Sequence, residues 1–190
     1  KKGDVCYIAA GASGLASAAI PMAKAVGAKV VTSVLNEEIA AKIAVLGADY
    51  VIVQSKESIP SAFEKLEKEG MPVKVAMDCL SGEDLGKAMP YMAEGGYWVV
   101  ISTLAGVETK VSLRPLLTKG LHLVGSMLRK RSNDEKHQLL LELQKEMWPH
   151  FEMRQIKVNI CKTFPIEEAE KAHELLLENK NVGKVVLKIK

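Results

Sequence analysis

The residues best placed to do chemistry stand near the start of the chain, in Ala9-Ala10-Gly11-Ala12-Ser13-Gly14-Leu15-Ala16. A phosphate-binding turn between a strand and a helix needs small residues where the backbone turns, where it approaches a pyrophosphate and where the helix packs on its strand. Gly11 and Gly14 flank Ala12-Ser13, with Ala10 and Ala16 outside them. Amides at the start of the helix would point at an anion, and the helix dipole would add to the attraction. The same spacing also fits a tight turn that binds nothing. What favours dinucleotide binding is context: the turn follows the first predicted strand and lies inside a repeating βα pattern.

Elsewhere the sequence offers little reactive chemistry. Tyr7, Tyr50, Tyr91 and Tyr97 are followed four positions later by Gly11, Gln54, Gly95 and Ile101, so no Tyr-xxx-Lys pair is available to protonate a carbonyl. No nucleophile–base or carboxylate pair stands out, and no catalytic residue is assigned. Cys6, Cys79 and Cys161 are an odd number in apolar runs, which argues against a disulfide framework and for a reducing compartment. His122, His137, His150 and His173 are dispersed, and no metal site is expected from them. A net charge of +3, from 26 basic and 23 acidic residues spread along 190, gives weak grounds for a nucleic-acid partner. Arg129-Lys130-Arg131 reads as a solvated loop, with a contact to a cofactor phosphate as the alternative. No apolar run reaches membrane-span length and no signal-peptide pattern is present, so a cytoplasmic protein without membrane partners is expected.

The elements that must position the turn follow from apolar periodicity. Strand-like runs at Val5–Ala9, Lys29–Val34, Tyr50–Val53, Val73–Asp78, Tyr97–Ser102 and Leu121–Gly125 are mostly apolar on both faces, as in a parallel sheet covered on both sides. Helices are predicted over Gly14–Val26, Glu37–Leu46, Pro60–Glu69 and Asp84–Met92. Gly27, Gly47 and Gly70 sit where a left-handed residue ends a helix. Pro21 should kink the first helix, because it removes the amide that would bond the Ser17 carbonyl. Ser132-Asn133-Asp134-Glu135 has capping-box form, with a helix to follow to about Met147. The remainder reads strand, helix (about Ile166 to Glu178), strand. The expected fold is α/β: a doubly wound parallel sheet over residues 1–150, with a short C-terminal strand-helix-strand appendix over residues 151–190.

A resemblance then becomes specific. "AAGASGLASAAIPMAKAVGAKVV", "LGADYVIV", "MDCLSG", "GGYWVVISTLAG", "LVGSMLRKRS" and "ENKNVGKVVLKI" occur in the order found in the medium-chain dehydrogenase/reductase family. The chain most resembles its zinc-free quinone oxidoreductase branch, similar to zeta-crystallin. The resemblance implies a Rossmann domain and an NADPH cofactor, with NADH as the alternative. It also implies hydride transfer to a quinone or enone, and a homodimer paired through the strand around Leu121–Gly125. Family members carry a GroES-like region ahead of this fold. The chain accordingly reads as the later part of such a protein, its appendix packing on that region and its isolated activity low or absent.

Matching motif to motif places Gly11, Ser13, Gly14 and Leu15 at the pyrophosphate turn, and Cys79 on the adenosine side, where it reads equally well as a buried small hydrophobe. Ile101, Ser102, Thr103 and Leu104 match a loop that approaches the nicotinamide, as do Ser126, Met127 and Leu128. Both sets follow the rule that ligands bind outside the carboxyl ends of parallel strands. Asn181 resembles a late cofactor contact, or simply opens the last strand. The adenosine-ribose end departs from the family: Leu35-Asn36-Glu37-Glu38-Ile39 and Gln54 stand where NADPH users tend to place Ser, Lys and Tyr, so the choice of cofactor stays open. A competing reading is a non-catalytic module that kept the fold for dimerisation or protein interaction. A methyltransferase-like fold shares the first turn but not the later motifs.

Overall fold

A computed structural model describes residues 1–178 and 181–190; the Asn179-Lys180 part of the last family motif lies outside the described residues. The chain runs β1 (Val5–Ile8), α1 (Ala16–Ala25), β2 (Lys29–Val34), α2 (Glu37–Ile43), β3 (Tyr50–Val53), α3 (Ile59–Lys68), β4 (Val73–Asp78) and α4 (Glu83–Ala88). It continues β5 (Tyr97–Val100), α5 (Leu113–Thr118), β6 (His122–Gly125), α6 (Asn133–Glu152), β7 (Ile160–Pro165), α7 (Ala169–Leu177) and β8 (Lys184–Lys188). Single 3-10 turns extend α2 through Leu46 and α4 through Tyr91.

Strands β1 to β6 form one parallel sheet in the order β3-β2-β1-β4-β5-β6. This is the doubly wound order, whose reversal beside β1 opens a crevice at the carboxyl ends of the strands. Alternation along β1 explains why both faces are covered. Val5 and Tyr7 bury toward α3 and α4 with Phe63, Leu66, Met89 and Trp98, while Ile8 buries on the other face with Ile20, Val30 and Ile43. Each such large side chain taken fully out of water contributes roughly 1.5–3 kcal/mol. Tyr7 meets Phe63 edge-on at 5.1 Å, a geometry that aromatic quadrupoles favour.

The six predicted strands form, with two ending one or two residues early and one starting a residue late, and so do the glycine stops: Gly27, Gly47 and Gly70 have φ of +81°, +80° and +72°. Helix α1 carries Pro21 inside it and runs as one element over Ala16–Ala25. Two details differ. Helix α5 is unforeseen, being only six residues long with Pro115 inside it and no buried side chain to set a period. Helix α6 passes Met147 and Pro149 to end at Glu152, its last turn carrying an edge-on Trp148–Phe151 pair at 5.9 Å. Its capping box is present: Ser132 Oγ accepts from Glu135 N, and Glu135 Oε2 accepts from Ser132 N at 2.8 Å.

The appendix is a small βαβ unit of its own, with β7 and β8 pairing in parallel. It seats on the first turn of the main sheet. Gly183 N donates to the Ala12 carbonyl at 3.3 Å, and Val182 packs onto the cluster around Ile8 and Ile20.

Candidate functional site

The turn from β1 into α1 is held from beneath by β2. Gly11 N donates to the Ser33 carbonyl at 2.8 Å, Ala10 N reaches Ser33 Oγ at 3.4 Å, and that hydroxyl also bonds the Tyr7 phenol at 2.8 Å. Backbone inversion falls on Ala10, at φ +55°, and neither glycine of the turn takes a positive φ. Gly11 is needed for space instead: a Cβ there would lie 2.7 Å from Thr32 Oγ1 and 2.9 Å from Ile43 Cδ1.

Ser13 starts the helix. Its Oγ accepts from Ala16 N at 3.0 Å and its carbonyl from Ser17 N at 2.9 Å. The amides of Ala12, Gly14 and Leu15 find no acceptor among the described residues. Free N–H groups in succession at a helix start, with no acidic residue in the first turn of α1, make a surface that attracts an anion.

Beside them lies a cavity of about 490 Å³ whose wall includes Ala12, Ser13, Ser33, Leu35, Ile39 and Gln54. Gly11 and Asn181 also line it, so four of the sequence-predicted residues (Gly11, Ser13, Gln54 and Asn181) come together here. Gly14 and Leu15 adjoin the cavity through the turn. Asn36 is outside, its Oδ1 occupied as the cap of α2 by Ile39 N at 3.0 Å. Cys79 is buried at the end of β4, and burial, reinforced by the neighbouring Asp78, pushes its thiol pKa up.

The two later loops lie at the carboxyl ends of β5 and β6; the first reaches this cavity through Ala105, but Ile101–Leu104, Ser126, Met127 and Leu128 do not line it. Ile101 N bonds the Asp78 carbonyl at 2.9 Å, Ser102 is half-buried, and Thr103 and Leu104 are exposed. Ser126 N bonds the Val100 carbonyl at 2.9 Å, with Met127 and Leu128 exposed beyond it. A buried carboxylate ties the first of these loops to β4. Asp78 accepts from Trp98 Nε1 at 2.9 Å, Leu80 N at 2.8 Å and Ser81 N at 3.0 Å, and Ser81 Oγ donates to the Ser102 carbonyl at 2.9 Å.

Sequence reasoning passed over Ser33, Leu80, Ala105 and Leu176, which also line the cavity. For Ser33 a signal existed: Thr32-Ser33 are polar residues inside an otherwise apolar strand, and both are fully buried. Leu80, Ala105 and Leu176 are small or apolar and reach the cavity only through long-range packing.

The sequence description of the zinc-binding dehydrogenases matches residues 14–145. The chain belongs to this family, the nucleotide-binding half of the medium-chain dehydrogenases/reductases. Among its family relatives are the quinone oxidoreductase-like protein 2 homolog of Nematostella vectensis, 27% identical over 96% of this chain and 49% of its own, and the quinone oxidoreductase of Sus scrofa, 25% identical over 98% of this chain and 55% of its own. The solved structure of mycobacterial Rv1454c complexed with NADPH superposes with a TM-score of 0.77 at 25% identity, covering 98% of this chain and 57% of that one. The chain spans about half the length of the curated relatives it matches. Despite the family's description, no group of three or more His, Cys, Asp and Glu among the described residues is arranged to hold a metal ion.

Proposed function

We propose that this chain is the cofactor-holding half of an NAD(P)H-dependent oxidoreductase that reduces a quinone or an activated alkene. The observation that carries the reading is the set of unsatisfied amides at Ala12, Gly14 and Leu15 beside the cavity of about 490 Å³. The turn fits a pyrophosphate. It offers backbone donors at Ala12, Gly14 and Leu15, and Ser33, Gln54 and Asn181 supply polar groups around an otherwise apolar wall. When bound, the nicotinamide supplies the hydride. The chain's own part is to hold the pyrophosphate at the turn and to line the nicotinamide end with Ile101, Ser102, Thr103, Leu104, Ser126, Met127 and Leu128 at the carboxyl ends of β5 and β6.

Within this reading the cofactor is NADPH, with NADH as the alternative. Glu37 and Glu38, which would repel a 2′-phosphate if bare, are ion-paired: Lys56 holds Glu37, and Lys42 holds Glu38 at 2.7 Å. The mycobacterial relative's NADPH complex supports the same choice. The reading also includes a cytoplasmic homodimer joined along the β6 edge, where His122–Gly125 are exposed. It further has a preceding half-chain that covers the apolar residues α6 leaves open, among them Leu140, Trp148 and Phe151. No described helix is long and apolar enough to cross a membrane.

Titration with NADPH and, separately, NADH, followed by cofactor fluorescence and by the rise in melting temperature that binding produces, tests the proposal. Saturable binding with NADPH favoured is expected. Binding of neither at millimolar concentration would overturn it and favour an interaction module built on the same fold.

A further inference from the structure

Ser81, in the loop that leaves β4, is buried and holds its backbone at φ +58°, in the left-handed region where glycine is at ease and a serine is strained. Asp78 keeps it there. One oxygen of that carboxylate accepts from Leu80 N at 2.8 Å and from Ser81 N at 3.0 Å, while the other is fixed by the indole of the buried Trp98 at 2.9 Å. Strain over-determined in this way, at the carboxyl end of a central strand, raises the question of what the serine side chain does that glycine could not.

It holds a second loop. Ser81 Oγ donates to the Ser102 carbonyl at 2.9 Å. On either side the two loops are joined through their backbones: Ile101 N bonds the Asp78 carbonyl at 2.9 Å, Leu104 N the Cys79 carbonyl at 3.2 Å and Ala105 N the Leu80 carbonyl at 2.8 Å, and Ser81 bridges in parallel to Gly106. Residues 102 and 103 fall between these bonds. Among the described residues, the Ser81 hydroxyl makes the one hydrogen bond that reaches them. The loops run so close that a Cβ on Gly106 would stand 3.0 Å from the Gly82 Cα. Leu80 and Ala105, which line the cavity, belong to the same pair of loops.

We propose that Ser81 is a positioning residue, whose hydroxyl fixes the backbone of Ser102 and Thr103 where the nicotinamide end of the bound dinucleotide meets the loop after β5. The inference rests on the dinucleotide reading above. It adds that the exits of β4 and β5 act as one preset wall, with the Ser102 carbonyl already satisfied before the cofactor arrives. A loop ordered in advance has less freedom to lose on binding. Glycine at position 81 would relax the backbone and lose the contact, so stability and nicotinamide binding respond differently to the same substitution.

The test uses the whole chain and its Ser81→Gly and Ser81→Ala variants. Each is titrated with whichever of NADPH and NADH the parent binds more tightly, and with the matching ADP-ribose, 2′-phosphorylated for NADPH, which lacks only the nicotinamide. Both variants are expected to bind the reduced cofactor about fivefold more weakly, the worth of one neutral hydrogen bond, and the ADP-ribose as the parent does. S81G is expected to melt above S81A, since only glycine relieves the left-handed backbone. Parental affinity for the reduced cofactor in both variants would overturn the role of Ser81 while leaving the dinucleotide reading intact. An equal loss for ADP-ribose would also overturn it, because the substitution would then be damaging the whole cavity. So would a loss confined to S81A, which would trace the effect to the strained backbone and not to the missing hydroxyl. Failure of the parent chain to bind any of these nucleotides would instead sink the dinucleotide reading and this inference together.

Discussion

A Cβ at position 11 would meet Thr32 Oγ1 at 2.7 Å and Ile43 Cδ1 at 2.9 Å, and neither neighbour has room to retreat, because both are fully buried. Thr32 is further pinned by its 2.6 Å bond to the Ile8 carbonyl. Gly11→Ala is therefore expected to cost about 1–3 kcal/mol through overpacking, read as a lower urea midpoint with an unchanged slope. The residue scale also explains what was legible at the turn. A run of small residues announces that something comes close, and it does. Which neighbour comes close was not written in the run: at Gly11 it is β2 and α2, at Gly14 it is a lysine some 170 positions later. Likewise Asn36, read as a cofactor contact, spends its side-chain oxygen on capping α2, a local role that Asn-Glu-Glu before an apolar helix also signals.

Elements in this fold are locked to one another by a few polar contacts at their ends. Asp49, just before β3, accepts from Lys24 Nζ of α1 at 2.6 Å and from Val30 N of β2 at 2.6 Å. Partial burial works to raise its carboxyl pKa, but the lysine and the amide prevail and hold it below the ordinary 3.8. A depressed folded-state value means that the contribution to stability is complete above the unfolded pKa and fades as pH falls through the folded one. Asp49→Asn should accordingly lower the melting temperature at pH 7, and the gap between variant and parent should close as pH is taken well below 3.8. A gap that persisted in acid would show that shape, not charge, makes the contact. The helix boundaries belong to this scale too. Those marked by glycine or by the Ser132 box were readable in advance, whereas α5 and the last turn of α6 depend on neighbours rather than on signals in their own residues.

For the whole molecule the open question is what covers its unpaired surfaces. In β6, His122 N and Ser126 N face β5, bonding the Gly96 and Val100 carbonyls. Alternation along a parallel strand then turns the amides of Leu123 and Gly125 outward, to the free edge of the sheet. If the proposed homodimer joins sheets there, Leu123→Pro removes an outward donor and leaves the pairing to β5 intact. Sedimentation should show a dimer for the parent chain and a monomer for this variant, with an unaltered circular dichroism spectrum. Dimeric L123P would remove β6 from the interface.

Short runs apolar on both faces, separated by helical stretches and their stops, are local quantities, and they were enough to determine the six parallel strands, the doubly wound class and the position of the phosphate turn between β1 and α1. Strand order, the burial of Asp78 and Ser33, and the wall of the cavity were decided only by tertiary structure, because each joins residues far apart in the chain whose types carry no mark of their partner. Lys184 is the clearest case. In the sequence it is one of many lysines, and only the docking of the β7–β8 unit on Ala12, through the amide of Gly183, brings its ammonium to Gly14.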